Sequence, residues 1–329
     1  MDWFERLVGV PEGMPDEVRA ALVVDGEFLV SRHNGRRMRH GTLETPSLSE
    51  LRVRAGALAP GRLRVRQVLA DVQVLHVAPD APGASFQVAS QFNLLEMVGP
   101  HVTPEHGVAR YEQDLTQGPA CAIAAGAGTI FRNYFAPVGG GEGQSATRQI
   151  DCLVDLGAAL GNERQLHWRM QNGYALPTAD GYAAVERAII DADEAQRDAW
   201  RALLRVGLQR DTEVTLDDAG HLVSQVFCSA LPVAYAGGLR AEPQQFATLV
   251  LEAAYEATLL AARENAARGG STRCYLTQLG GGAFGNRFAW IDAALRRALT
   301  MHRDAGLDVR IVSYGQPDPG IGRLVEAFA

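Results

Sequence analysis

Three short segments carry residue types and spacings that could do chemistry. The first, Gly280-Gly281-Gly282-Ala283-Phe284-Gly285-Asn286, joins a strand-like run (272–279) to a helical one (288–305). Glycines after a strand let a backbone approach a ligand closely, and the helix N-terminus beyond them offers amide donors and a positive dipole to phosphate. The segment predicts a diphosphate cradle, although a plain tight strand-to-helix turn would use the same glycines. The second segment, Ala89-Ser90-Gln91-Phe92-Asn93, ends another strand-like run. Its short hydroxyl and amide groups suit a sugar or a base, and Phe92 offers a stacking face; a polar strand end capping the next helix would read the same way. In the third, Glu112, Asp114 and Gln117 precede Gly118 and Pro119, where a helix begins. Acids at a helix start are also ordinary capping residues.

Composition removes several chemistries. The chain has 329 residues, with 31 basic and 38 acidic side chains and a formal net charge of −7. None of the basic residues is lysine. A lysine Schiff base, a P-loop and a protein-kinase active site are therefore excluded. The GGGxxG spacing, close to the chain end, also departs from the dinucleotide GxGxxG. With Arg36, Arg37 and Arg39 as only a small local cluster, the acidic chain lacks the broad basic surface of a nucleic-acid binder, and no nucleic-acid partner is expected. Cys121, Cys152, Cys228 and Cys274 form no CxxC and the histidines no HExxH, so buried thiols and no metal site are expected. The first ten residues lack the basic-then-apolar order of a leader, and no apolar run nears the ~18 residues of a membrane span. A cytoplasmic protein without a membrane partner is expected.

The elements that must position these segments can be read coarsely. Residues 20–32 predict a hairpin around Asp25-Gly26, and Ser47 or Ser49 caps a short helix. Strands are expected within 63–78 and 84–93, and a buried helix across 118–135. Residues 138–147 read as a glycine-rich loop, and an amphipathic helix is expected at 183–204. The last hundred residues read as strand (221–236), helix (243–268), strand (272–279), helix (288–305) and strand (308–315), the order of crossover connections in a mostly parallel sheet. Asn172-Gly173-Tyr174 reads either as a surface turn or as a way to bring an aromatic over the cleft.

Residues 221–315 resemble the second half of a macrodomain. Ala230-Leu231-Pro232-Val233 ends a strand before an alanine- and leucine-rich helix, and Gly282-Ala283-Phe284-Gly285 is similar to the family's phosphate loop. Residues 60–135 resemble the first half, with Ser90-Gln91-Phe92-Asn93 where the family usually has an asparagine-alanine-alanine-asparagine signature. The wording ASQFNLLE, TQGPACAIAAGA and YLTQLGGGAFGN is similar to the divergent macrodomain-like group that includes a Legionella ADP-ribosyl-arginine hydrolase effector. The resemblance implies a three-layer α/β/α fold with a mixed sheet. An N-terminal extension (1–60) would precede an ADP-ribose-binding domain (61–329) that carries a helical insertion at about 140–215. It also implies ADP-ribose as ligand or product, an ADP-ribosylated protein as partner and no cofactor. The diphosphate would lie on 280–286 and the distal ribose near Asn93 and the segment from Glu112 to Gln117. For a hydrolase acting on ADP-ribosyl-arginine, Glu112 and Asp114 are the candidates to stabilise oxocarbenium character and assist water, with Asn93 and Gln117 orienting the ribose. The alternative is a non-catalytic sensor of ADP-ribose or an NAD metabolite that uses the same cradle.

Overall fold

The computed structural model describes residues 1–55, 60–237 and 242–328. Its centre is one sheet of seven strands: β1 (Thr42–Glu44), β2 (Arg64–Leu69), β3 (Ser85–Ala89), β4 (Gly207–Glu213), β5 (Leu222–Cys228), β6 (Arg273–Leu276) and β7 (Asp308–Ser313). Their order is β1-β4-β5-β3-β6-β7-β2. From β5 to β2 every neighbour is parallel, and β4 runs antiparallel to both β5 and β1. Strands β3 and β5 are buried almost end to end, as strands covered on both faces must be.

Alternation along β3 shows what covers each face. Phe86 stacks on His76, whose helix (Val72–Val77) packs with Gln117–Ala124, while the Gln87 amide bonds to Thr258 in the long Gln244–Ala267 helix on the other side. Phe288–Met301 and Leu48–Ala55 pack on that long helix. The architecture is the three-layer α/β/α arrangement around a mixed sheet that was expected. The N-terminal helices Trp3–Val8 and Pro15–Ala21, with a small three-stranded sheet, form a second core around Trp3, Phe4, Tyr111, Ile130 and Tyr134.

Several elements differ from the sequence expectation for local reasons. Asp71 accepts the Gln73 N–H and starts a helix where a strand was expected to continue through 63–78. The helix across 118–135 is two, Gln117–Ala124 and Gly126–Tyr134, and at the break the Thr215 hydroxyl takes the Gly126 N–H. The helix at 183–204 is also two, Gly181–Asp191 and Glu194–Leu203, the second capped by Asp193. Residues 207–213 lie within the stretch read as insertion, yet they form β4 of the central sheet, and residues 42–44 of the N-terminal stretch form its edge strand β1. Among the described residues no helix is long and apolar enough to cross a membrane.

Candidate functional site

Open α/β sheets present ligands at the carboxyl ends of their parallel strands, and this chain has a cleft there, about 880 Å³ including the space open to solvent. The ends of β3 (Ala89, Ser90, Gln91) and β6 (Thr277, Gln278), the glycine loop and the turn at 114–119 wall it. No arginine or histidine is among the described lining residues, whereas Glu96 and Asp114 both are. An anion there would depend on backbone amides.

The glycine loop supplies such amides. Gly280 sits at φ +72°, and a Cβ there would come within 2.4 Å of the Ala230 side chain and 2.7 Å of Asn286. Asn286 ties the loop shut by donating to the Leu231 and Gly280 carbonyls at 2.9 and 3.3 Å. Among the described residues, the N–H groups of Gly282, Ala283 and Phe284 find no protein acceptor, so three donors at the cleft remain open to a ligand. Gly282 has open space where a Cβ would stand; Gly285, at φ +72°, shapes the turn against Ala234 instead. Gly281, Gly285 and Asn286 lie outside the lining, whereas Gly280, Gly282, Ala283 and Phe284 are on it.

Phe284 meets two aromatics that come from distant elements. Its ring centroid is 5.3 Å from Tyr174, on the hairpin Trp168–Gln171/Tyr174–Pro177, and 5.9 Å from Tyr235, beyond β5. All three line the cleft. The Asn172-Gly173 turn thus delivers an aromatic to the site.

The segment after β3 is folded tightly back on itself. Gln91 accepts from the Met97 N–H at 2.8 Å and donates to the Met97 carbonyl at 3.2 Å, a carbonyl that also takes the Tyr174 hydroxyl at 2.6 Å. Leu94 is held at φ +66°, costly for a branched side chain, and Asn93 accepts the Leu95 N–H at 3.1 Å. Phe92 and Asn93 are therefore buried supports of this turn and lie outside the cleft lining, while Ser90 and Gln91 remain on it.

The turn aims Glu96 into the cleft. Glu96 is 2 % exposed, and neither carboxyl oxygen has a hydrogen-bond partner among the described residues. Burial pushes its proton affinity up from the ordinary 4.5 to about 8, against the pull of Arg132. At neutral pH it is a neutral acid with a proton to give. A buried carboxylic acid whose oxygens are not tied up by close structural hydrogen bonds is costly, which makes it the candidate functional group of the cleft.

The third segment divides. Glu112 is on the surface, 2.7 Å from Arg6, and is not part of the cleft. Asp114 lines the cleft, with one oxygen accepting the Thr116 N–H at 2.9 Å. Gln117 also lines it, but its amide already clamps β3, accepting from Ala89 N–H and donating to the Gln87 carbonyl, both at 2.8 Å. Gly118 is required by close approach: a Cβ would come within 2.0 Å of the Ala89 carbonyl oxygen and 2.9 Å of Glu96. Glu96, Tyr235, Thr277 and Gln278 escaped the sequence reading. The signal for Glu96 is a lone acid directly after the apolar pair Leu94-Leu95 in a segment that leaves a strand. The four cysteines are buried free thiols, and no group of metal-ligating side chains occurs among the described residues.

Fold and cleft together define a three-layer α/β protein with a carboxyl-bearing pocket, edged by unpaired backbone amides, at its strand ends. No family model matches the sequence, and no curated protein matches it. Among solved structures the chain is similar to a poly(ADP-ribose) glycohydrolase from Thermomonospora curvata, at 15 % identity, covering 95 % of this chain and 96 % of that one, with a TM-score of 0.43. It is also similar to a poly(ADP-ribose) glycohydrolase from Deinococcus radiodurans in complex with ADP-ribose, at 13 % identity, covering 97 % and 100 %, with a TM-score of 0.46. Likenesses this remote assign no chemistry, which has to be read from this chain's own residues.

Proposed function

We propose that the cleft binds ADP-ribose and hydrolyses the bond between its distal ribose and an arginine guanidinium. The observation that carries the reading is Glu96, a buried acid that keeps its proton, facing a cleft with open backbone amides and no basic side chain. The amides of 282–284 suit a diphosphate. Ser90, Gln91, Thr277 and Gln278 offer hydrogen bonds to ribose hydroxyls. The Asp114 carboxylate, with no competing basic side chain among the described lining residues, favours an arginine-type leaving group.

In the proposed reaction Glu96 gives its proton to the departing nitrogen as the ribose C–N bond breaks, and charge develops on the anomeric carbon. The Glu96 carboxylate then takes a proton from the attacking water, whose oxygen forms the new bond. Asp114 supports the developing positive charge. The test is calorimetry with ADP-ribose, followed by release of ADP-ribose from an arginine-modified protein. Binding with release supports the hydrolase. Binding with no release from arginine-, serine- or carboxylate-linked substrates identifies a sensor, and no binding refutes both.

A further inference from the structure

Arg132 stands behind Glu96 and not in the cleft. Its guanidinium is fully buried: Nε donates to the Leu94 carbonyl at 3.1 Å, Nη2 to the Thr129 hydroxyl at 3.1 Å, and its carbon lies 3.7 Å from the centroid of the Phe227 ring. Nη2 comes within 3.8 Å of a Glu96 carboxyl oxygen, which is beyond hydrogen bonding, and Nη1 has no acceptor among the described residues. Guanidinium and carboxyl groups buried side by side normally close into a bidentate pair. Here three anchors hold them apart. The left-handed Leu94 presents one of them, and Thr129 is fixed by its own bond to the Ala122 carbonyl at 2.7 Å.

We propose that Arg132 is a positioning residue that sets the proton affinity of Glu96, as a cation fixed just outside hydrogen-bonding distance. Close contact would favour the ionised form much more strongly, and loss of the cation would favour the protonated form further; the gap keeps both states within reach. The other groups facing Glu96 are the Tyr111 hydroxyl, the Asp114 carboxylate across the cleft and the Cys121 thiol of the 117–124 helix. The Tyr111 hydroxyl also favours the carboxylate, but as a neutral hydrogen-bonding group; Arg132 is the one cation among the four and the larger of the two influences. The inference rests on the reading of Glu96 as proton donor.

The experiment titrates the Glu96 carboxyl stretch by infrared spectroscopy without substrate, with Glu96→Gln assigning the band. Arg132→Met is expected to raise the midpoint by about one pH unit or more, Arg132→Lys to restore most of it, and ADP-ribose affinity to stay unchanged. Thr129→Val frees the guanidinium to close on Glu96 and should move the midpoint the other way, downward. The alkaline limb of the pH–rate profile should follow each shift. Unmoved midpoints in the folded variants, or equal shifts for Met and Lys, overturn the proposal. Should Arg132→Met not fold, Thr129→Val decides, and an unmoved midpoint there is equally fatal. The titration needs no turnover, so a wild type that releases no ADP-ribose refutes the hydrolase and leaves this test standing. An active wild type with unmoved midpoints refutes Arg132 alone.

Discussion

Replacing Glu96 with glutamine should make the protein inactive and, at alkaline pH, more stable. The folded carboxyl takes its proton at about 8 against an ordinary 4.5, so between those values the native state binds a proton that the unfolded chain does not. Stability must then fall as pH rises through this window, because the native state holds the extra proton. The interval of about 3.5 units, at about 1.36 kcal/mol each, corresponds to about 5 kcal/mol lost by pH 8. Glutamine has nearly the same shape and no charge to bury, so the variant should lack this term. Urea denaturation of both proteins from pH 5 to pH 9 should show curves that coincide near pH 5 and separate by several kcal/mol at the alkaline end, on the order of that ~5 kcal/mol. In parallel, ADP-ribose release should fall by ~10² or more, the usual contribution of a general acid, while calorimetric affinity for ADP-ribose is kept. A stability difference that does not change with pH, or wild-type turnover in the folded variant, would refute the reasoning.

Further expectations follow from neighbouring residues. Gly282→Glu has free space for its Cβ and places a carboxylate among the open amides, so ADP-ribose binding should vanish in calorimetry with the melting temperature unchanged. Gly118→Ala forces a methyl group onto the Ala89 carbonyl and Glu96 and should destabilise by about 1–3 kcal/mol in denaturant titration while weakening turnover. Glu112→Gln removes a surface pair worth under about 1 kcal/mol and should leave hydrolysis intact, whereas Asp114→Asn, on the cleft wall, should slow it, as a kinetic comparison will tell. Burial lowers the proton affinity of His76 from 6.5 to about 4, so its contribution is present above pH 6.5 and lost as pH falls toward 4. This amounts to about 3 kcal/mol, and acid unfolding monitored by circular dichroism should be shallower in that window in a folded His76→Gln variant.

The amino-acid sequence by itself determined most of the elements flanking the cleft and the chemistries that could be excluded. Absence of lysine removed whole reaction classes, and the strand-helix alternation of 221–315 set a mostly parallel sheet. The spacing of Gly280, Gly282 and Gly285 marked a backbone-lined turn, because glycine conformations are local properties of the chain. Tertiary structure decided which polar side chains reach the cleft. Glu112 and Asp114 are two residues apart, yet one meets Arg6 at the surface and the other walls the site. Asn93 looked like a ligand group and is a buried brace, while Glu96, three residues on, carries the unpaired acid. No local pattern distinguishes these outcomes. The direction of Glu96 depends on a left-handed Leu94, a Gln91 clamp on Met97, a tyrosine from a hairpin some eighty residues away and a glycine at 118 that makes room. Its proton affinity depends on burial and on Arg132 from another helix. Such interactions are made only when the chain closes on itself, since desolvation and charge proximity are properties of the packed site.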